Sequence, residues 1–170
     1  IVADAHQYLL DHYEEFDFIW ASPPCPTHSK ISINFANAEG ERRRKPKYPD
    51  MKLYQEIIFL DAFFKGKWVV ENVTPYYEPL IPAKKRGRHL YWTNFNLPNE
   101  LSDRSGNFME GEKEVEKWCV FHEIDLSRYK GEQRKNKIAR NLVDFEAGKT
   151  ILDIAMGLVR NTNKEQTSLF

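Results

Sequence analysis

The chain has 170 residues, of which 41% are hydrophobic and 14% are aromatic, and its formal net charge is zero. This length and composition favour one domain with a real hydrophobic core. The two cysteines exclude a disulfide framework and suit a reducing cytosol, and no apolar run has the length of a signal peptide or a membrane span. The zero net charge excludes bulk attraction to nucleic acid, so a basic binding surface must come from local clusters.

Apolar spacing and turn residues predict helices and strands that alternate along the chain. The predicted helices cover residues 8–15, 49–64 and 146–159. The predicted strands cover residues 17–20, 67–70 and 89–92. The long stretch between the last strand and the last helix is polar and is predicted to be irregular. This alternation favours an α/β fold with a largely parallel sheet.

The most informative feature is a cysteine that leaves the first predicted strand through two prolines. Pro23 and Pro24 each fix their own φ angle, and Pro24 also restricts the residue before it. A stiff connection of this kind holds the Cys25 thiol at the carboxyl end of a strand, where open α/β sheets bind ligands. A cysteine beside apolar residues is also commonly a small buried hydrophobe. A catalytic interpretation therefore depends on partners elsewhere in the chain.

Two further polar motifs stand beside predicted strands. Glu71-Asn72-Val73 comes directly after the second strand, and the basic run over residues 84–88 leads into the third. A carboxyl after a strand and a run of cations are each commonly solvated. Together with the thiol, however, they complete one chemistry.

In this order, the motifs resemble those of the C5-cytosine DNA methyltransferases. The family's Pro-Pro-Cys motif stands at residues 23–25, and its Glu-Asn-Val motif stands at residues 71–73. Its Gln-x-Arg-x-Arg motif stands at residues 84–88, with Lys84 in place of the glutamine. The resemblance covers about residues 1–95. It implies a Rossmann-like, S-adenosylmethionine-dependent methyltransferase fold of the α/β class, with helices on both faces of a largely parallel sheet.

The resemblance implies a role for each of three catalytic residues. Cys25 adds to C6 of cytosine, so that C5 can attack a methyl donor. Glu71 stabilises the charge that develops on N3, and Arg88 holds O2 of the base. Because a free thiol is mostly protonated at neutral pH, Cys25 needs a nearby positive charge or a base.

The family pattern also implies contacts to the cofactor and to duplex DNA. The cofactor residues are Asp4, beside the adenine of S-adenosylmethionine, and Pro23. The target cytosine must leave the helix stack to be reached. Residues 30–49 are therefore predicted to form a mobile loop that closes over the base, with cations on phosphates. The predicted DNA-binding residues are Ser29, Asn72, Arg86, Arg42, Arg43 and Arg44. No metal ligand is predicted.

One family element is missing from the sequence. No glycine-rich turn for the cofactor precedes Asp4. We therefore expect about two strand-helix units to be absent, either by truncation or because a second polypeptide carries them, and we expect the chain alone to transfer little methyl. The predicted organisation is a catalytic part over residues 1–95, a short target-recognition or insert region over 96–137, and a C-terminal helix over 138–170 that packs back on the catalytic part.

Other interpretations remain open from the sequence alone. The substrate is transfer RNA in some proteins of this type, and a non-catalytic DNA-binding subunit of a split methyltransferase would keep the same fold. Cys25 and His28 have the spacing of zinc ligands, as have Cys119 and His122. The favoured prediction is a cytoplasmic enzyme, encoded by a bacterium or a phage, that acts on double-stranded DNA; restriction-modification, phage self-modification and regulation remain open as its role. The target sequence and biological role are not written in the chain.

Overall fold

A computed structural model describes residues 1–30, 47–102, 113–142 and 144–159. The α-helices in these ranges are α1 (Ala5–His12), α2 (Lys52–Phe63), α3 (Glu114–His122), α4 (Lys135–Arg140) and α5 (Phe145–Ala155), and a 3₁₀ turn covers Tyr13–Glu15. The strands are β1 (Phe18–Ala21), β2 (Lys67–Val73), β3 (Lys84–Arg86) and β4 (His89–Thr93). The chain is therefore of the mixed α/β class, as predicted.

The four strands form one mixed sheet in the order β1-β2-β4-β3. β1 and β2 pair in parallel, whereas β4 runs antiparallel to both β2 and β3. The prediction of a largely parallel sheet is therefore wrong for the described residues. The reason lies in the basic run, which forms β3 and turns back into β4 through Gly87 and Arg88. A two-residue turn joins only antiparallel strands, and the φ of +54° at Gly87 suits its first position.

The hydrophobic core lies on one face of the sheet. Alternate residues of β2 and β4 point to the same side, and these include Trp68, Val70, Leu90 and Trp92. The residues of α2 that pack against them are Leu53, Tyr54, Ile57, Leu60 and, just beyond the helix end, Phe64. Burying each large side chain contributes roughly 1.5–3 kcal/mol. Leu9 and Tyr13 pack against the same cluster, so α1 lies on the α2 side, and helices on the opposite face remain a prediction.

The opposite face of β2, β4 and β3 carries polar and charged residues beside the buried Val69 and Tyr91. Residues that pair directly across strands share a face, which places Glu71, Tyr91 and Lys84 in one row. The next row contains Val73, His89 and Arg86. A carboxyl, an imidazole and two basic side chains therefore share the face of the sheet that lies away from α2.

Several elements differ from their predicted bounds. β2 continues through Val73, so Glu71 and Asn72 lie within the strand and not after it. The stretch predicted to be irregular contains α3 and part of α4, so that prediction is wrong. α5 ends at Ala155, before the predicted residue 159, and Gly157 beyond it has a φ of +71°.

The described residues form two compact units. The first contains Ile1–Glu100 with the described residues from Asp153 onward, and the second contains Leu101–Leu152. In the second unit, Trp118 of α3 is buried, and Arg140 of α4 forms a hydrogen-bonded ion pair with Glu114. The predicted division at residues 95 and 137 stays a prediction. None of the helices in the described ranges has the length and apolar character that crossing a bilayer requires.

Candidate active site

A tight turn places Cys25 directly beyond β1. The backbone N–H groups of His28 and Ser29 both donate to the carbonyl of Cys25, at 2.9 and 3.0 Å. The turn is attached to the segment that follows β2, because the N–H of Tyr76 donates to the carbonyl of His28 at 3.1 Å and Ser29 forms a bridge with Pro75. The motif that carries the thiol therefore meets the end of the Glu-Asn-Val motif.

Asn72 forms a second connection between these two motifs. Its side-chain N–H₂ donates to the carbonyl of Pro23 at 3.0 Å, and its side-chain oxygen accepts from the N–H of Val73 at 2.9 Å. The residue is only 3% exposed, so both bonds form away from water. Because β1 and β2 are parallel neighbours, one amide side chain on β2 reaches the proline pair beyond β1. A DNA contact by Asn72 stays a prediction.

Glu71 lies close enough to Cys25 for its charge to act on the thiol. Burial raises the pKa of Cys25 above its ordinary value, and the negative charge of Glu71 raises it further. Glu71 itself is only 7% exposed. The hydrogen bond from Asn72 to Pro23 joins the motif of the predicted nucleophile to the motif of the predicted acid. The pKa of Cys25 is raised and not lowered, so its surroundings favour the protonated thiol, contrary to the activation that the sequence suggested.

His89 at the start of β4 contacts the same carboxyl. Its Nε2 lies 3.5 Å from Oε1 of Glu71. Glu71 pairs with Tyr91 and Val73 pairs with His89, so the contact runs diagonally between neighbouring strands on one face. His89 was not among the predicted site residues, although it directly follows Arg88.

The two predicted site arginines belong to the β3–β4 hairpin. Arg88 is exposed in the turn, and its carbonyl accepts a hydrogen bond from the hydroxyl of Thr74 at 3.3 Å. This bond holds the turn beside the residue that follows β2. Arg86 is half-buried, and its guanidinium donates to the backbone carbonyls of Pro98 and Lys85. A supporting role for Arg86 in binding DNA stays a prediction.

A partly buried chain of hydrogen bonds behind the Cys25 turn was not predicted. The N–H of Leu80 donates to the Tyr54 hydroxyl at 3.2 Å, and that hydroxyl donates to the Tyr77 hydroxyl at 3.3 Å. The Tyr77 hydroxyl also shares a hydrogen bond of 2.5 Å with Nδ1 of His28. His28 is 1% exposed, and burial lowers its pKa while the charge of Asp50 opposes that shift. Short-range sequence patterns carry no signal for this pair, because the two residues are 49 positions apart.

A cavity of about 630 Å³ opens beside β1. The two predicted cofactor residues, Asp4 and Pro23, both line it. Its wall also includes the aromatic rings of Tyr8, Phe18 and Trp20. Asp4 has a structural role as well, because its carboxylate caps α1 by accepting the N–H of Gln7 at 3.0 Å and has its pKa lowered by that bond.

The remaining predictions concern the loop arginines and the two cysteine-histidine pairs. Arg42, Arg43, Arg44 and most of the predicted mobile loop lie outside the described residues. Within the described ranges, no group of three or more histidine, cysteine, aspartate or glutamate residues is arranged to hold a metal ion. The two zinc-like pairs lie in different units, Cys25 with His28 in the first and Cys119 with His122 in the second.

Comparison of the chain with protein-family models, with curated proteins and with solved structures found no match in any of the three.

Proposed function

We propose that this chain is the catalytic segment of a DNA cytosine C5-methyltransferase with a Rossmann-like, S-adenosylmethionine-dependent fold. One observation carries the proposal. Three motifs that lie far apart in the sequence converge at one end of the parallel β1–β2 pair. Asn72 binds the Pro23 carbonyl at 3.0 Å, Thr74 binds the Arg88 carbonyl at 3.3 Å, and the charge of Glu71 acts on the Cys25 thiol.

The chemistry follows from a thiol and a carboxyl that share one site. The sulfur of Cys25 bonds to C6 of a flipped cytosine, the C5–C6 π pair moves to the C4–C5 bond, and the C4–N3 π pair moves to N3. N3 takes a proton from Glu71 in the same step. A proton on Glu71 also removes the negative charge that raises the pKa of Cys25. One protonation of Glu71 therefore supplies the acid and favours the thiolate.

The later steps return the protein to its starting state. Methyl transfer to C5 would release S-adenosylhomocysteine from the bound donor; a base would then take the proton from C5, the C5–H pair would form the C5–C6 double bond, and the S–C6 bond would break to release the thiolate. N3 gives its proton back to Glu71. Arg88, in the exposed turn beside Thr74, is suited to hold O2 of the base throughout, because a guanidinium donates in a fixed plane.

The cavity beside β1 fits the adenosyl group of the donor. Its volume of about 630 Å³ lies within the usual range for small-molecule sites, and its aromatic wall suits a purine ring. Asp4, Trp20 and Pro23 would hold S-adenosylmethionine there. That molecule supplies an electrophilic methyl group when bound. The cavity also borders the turn that leads to Cys25, because Pro23 and Pro24 line it.

Covalent trapping tests the proposal directly. 5-Azacytosine accepts a thiol at C6 without needing a methyl donor, so the chain can be tested as it is. We expect duplex DNA with one 5-azacytosine to form a complex that survives denaturing electrophoresis. Cys25→Ala should abolish the complex, whereas Cys119→Ala should keep it, because Cys119 lies in the second unit. Absence of a complex with the unchanged chain would refute the catalytic assignment and leave a non-catalytic DNA-binding role.

The same assay distinguishes a DNA substrate from a transfer RNA substrate. A 5-azacytosine-substituted transfer RNA and duplex DNA of equal length compete for the chain at one concentration. We expect trapping on DNA, because the resemblance on which the proposal rests is to DNA enzymes. Preferential trapping on transfer RNA would assign the chain to RNA cytosine methylation with the same Cys25 chemistry.

A further inference from the structure

The contact between His89 and Glu71 has a consequence for proton transfer at the proposed site. Both residues point to the sheet face that lies away from the core, on neighbouring strands. The Nε2–Oε1 distance of 3.5 Å is slightly long for a strong hydrogen bond. Catalytic hydrogen bonds commonly shorten when the substrate closes the site.

The two side chains differ in their access to water. The side chain of Glu71 is 8% exposed and that of His89 is 24% exposed. A proton from solvent therefore reaches the imidazole more readily than the buried carboxyl. An imidazole also keeps a proton to a higher pH than an ordinary carboxyl does.

Two basic side chains and one aromatic side chain share this face of the sheet with the pair. Lys84 donates to the carbonyl of Phe95 at 3.3 Å, and Arg86 donates to the carbonyl of Pro98. Tyr91 stacks edge-on against His89, with 6.5 Å between the ring centroids. Arg88 is exposed in the turn just before His89, and the charge of Glu71 acts on the Cys25 thiol.

We propose that His89 is a positioning residue that holds the catalytic proton for Glu71. The proposal rests on the methyltransferase function above. Nε2 of protonated His89 gives its proton to Oε1 of Glu71, and Glu71 gives that proton to N3 as the Cys25 sulfur bonds to C6. When the S–C6 bond breaks, N3 returns the proton to Glu71, and Glu71 returns it to Nε2 of His89. His89 thereby supplies the proton through a carboxylate that need not hold one beforehand.

The experiment measures exchange of the C5 hydrogen, which follows thiol addition and needs no methyl donor. The full chain is incubated with duplex DNA that carries tritium at C5 of cytosine, between about pH 5.5 and 9, and tritium release is counted. We expect His89→Gln to move the alkaline fall in rate to lower pH and to lower the rate at about pH 8 by roughly tenfold or more. The matched control is His12→Gln, which removes another histidine-glutamate contact, 2.6 Å from Glu15 on the surface. It should leave the profile unchanged.

A second variant separates proton transfer from folding. His89→Ala leaves space beside Glu71, and free imidazole in the buffer should restore part of the tritium release. A uniform loss at every pH in His89→Gln, or no recovery of His89→Ala with imidazole, would overturn the proposal. Tritium release by the unchanged chain with an unaltered profile in His89→Gln would also overturn it, while the methyltransferase function would stand. No release by the unchanged chain would overturn both.

Discussion

At the scale of single residues, Asn72 has a structural role that its place in the motif does not reveal. Its amide group binds the backbone at Pro23 and at Val73 with both of its polar atoms, and it does so where water is excluded. An aspartate in its place would offer only acceptors, and Pro23 offers only a carbonyl there. The position therefore requires a donor and an acceptor on one short side chain.

Replacing the Asn72 side chain should affect both the stability of the chain and the rate at which the Cys25 thiol reacts. Asn72→Ala leaves the Pro23 carbonyl and the Val73 N–H without their partner, so the free energy of unfolding should fall by about 1–3 kcal/mol. The turn that carries Cys25 also loses its connection to β2, so trapping on 5-azacytosine DNA should become slower. Denaturant titration and the trapping rate measure the two effects.

Asn94 provides a matched control for that variant. Its side chain bridges the N–H of Trp68 and the carbonyl of Gly66 at the opposite end of β2. Asn94→Ala should cost a similar free energy of unfolding and leave the trapping rate of the folded protein unchanged. Equal slowing of trapping by both variants would show that Asn72 acts only through overall stability.

The charge of Glu71 gives a second prediction at the residue scale. A negative charge disfavours the thiolate, so Glu71→Gln should lower the pKa of Cys25 and move alkylation by iodoacetamide to lower pH. At about pH 8 the alkylation rate should rise by about twofold or more. The measurement is made in a Cys119→Ser background so that one thiol reacts. Glu78→Gln, which alters an exposed carboxyl, should leave the alkylation rate unchanged. Slower alkylation in Glu71→Gln would contradict an effect of the Glu71 charge on the Cys25 thiol.

At the scale of elements, the Cys25 turn is fixed between two neighbours. Tyr54 of α2 and Tyr77 beyond β2 hold His28 from behind, and Tyr76 and Pro75 bind the turn along its backbone. A nucleophile gains from such a support because its approach to C6 must be correct within a fraction of an ångström. The elements around the thiol thus provide rigidity, and the proposed reaction uses the charges on the β2–β4 face.

This support should make stability depend on pH. Burial lowers the pKa of His28 below 6.5 in the folded chain. Between that lowered pKa and about pH 6.5, the unfolded chain therefore binds a proton at this residue that the folded chain does not. The free energy of unfolding therefore rises with pH in that window, and the stability present above about pH 6.5 is lost as the pH falls towards the lowered pKa. Denaturant unfolding at about pH 7.5 and 5 measures the slope.

His28→Gln keeps a polar side chain and removes the titration, so its slope with pH should be smaller than that of the unchanged chain. His12→Gln, at an exposed position on α1, should keep the original slope. A slope that does not change in His28→Gln would mean that other groups cause the acid sensitivity.

At the scale of the whole molecule, the elements that were predicted correctly are those whose apolar spacing is local and regular. Leu53, Ile57 and Leu60 recur at helical spacing and are all buried in α2. β3 was missed because lysine and arginine lack strand-like alternation, and its strand comes from pairing with β4. α3 was missed because most of its apolar residues stand together at Trp118–Phe121 and not at helical spacing, and Trp118 is the one residue of the helix that is buried.

The same distinction applies to the site. Cys25, Glu71 and Arg88 lie in short motifs, which a sequence shows directly. The partners that orient them are set by register and packing, as for His89 across the β2–β4 pair and Tyr77 against His28. No spacing along the chain encodes those contacts, so they required the fold. The direction of the Cys25 pKa shift depended on the fold for the same reason.

Mapping the attachment site of 5-azacytosine DNA on the unmodified chain tests the central claim most directly. The covalent complex is digested with a protease and a nuclease, and the modified peptide is identified by mass spectrometry. We predict that the nucleotide is attached to the sulfur of Cys25, in the peptide that contains Pro23 and Pro24. Attachment at Cys119, or recovery of Cys25 as a free thiol from every sample, would contradict the account.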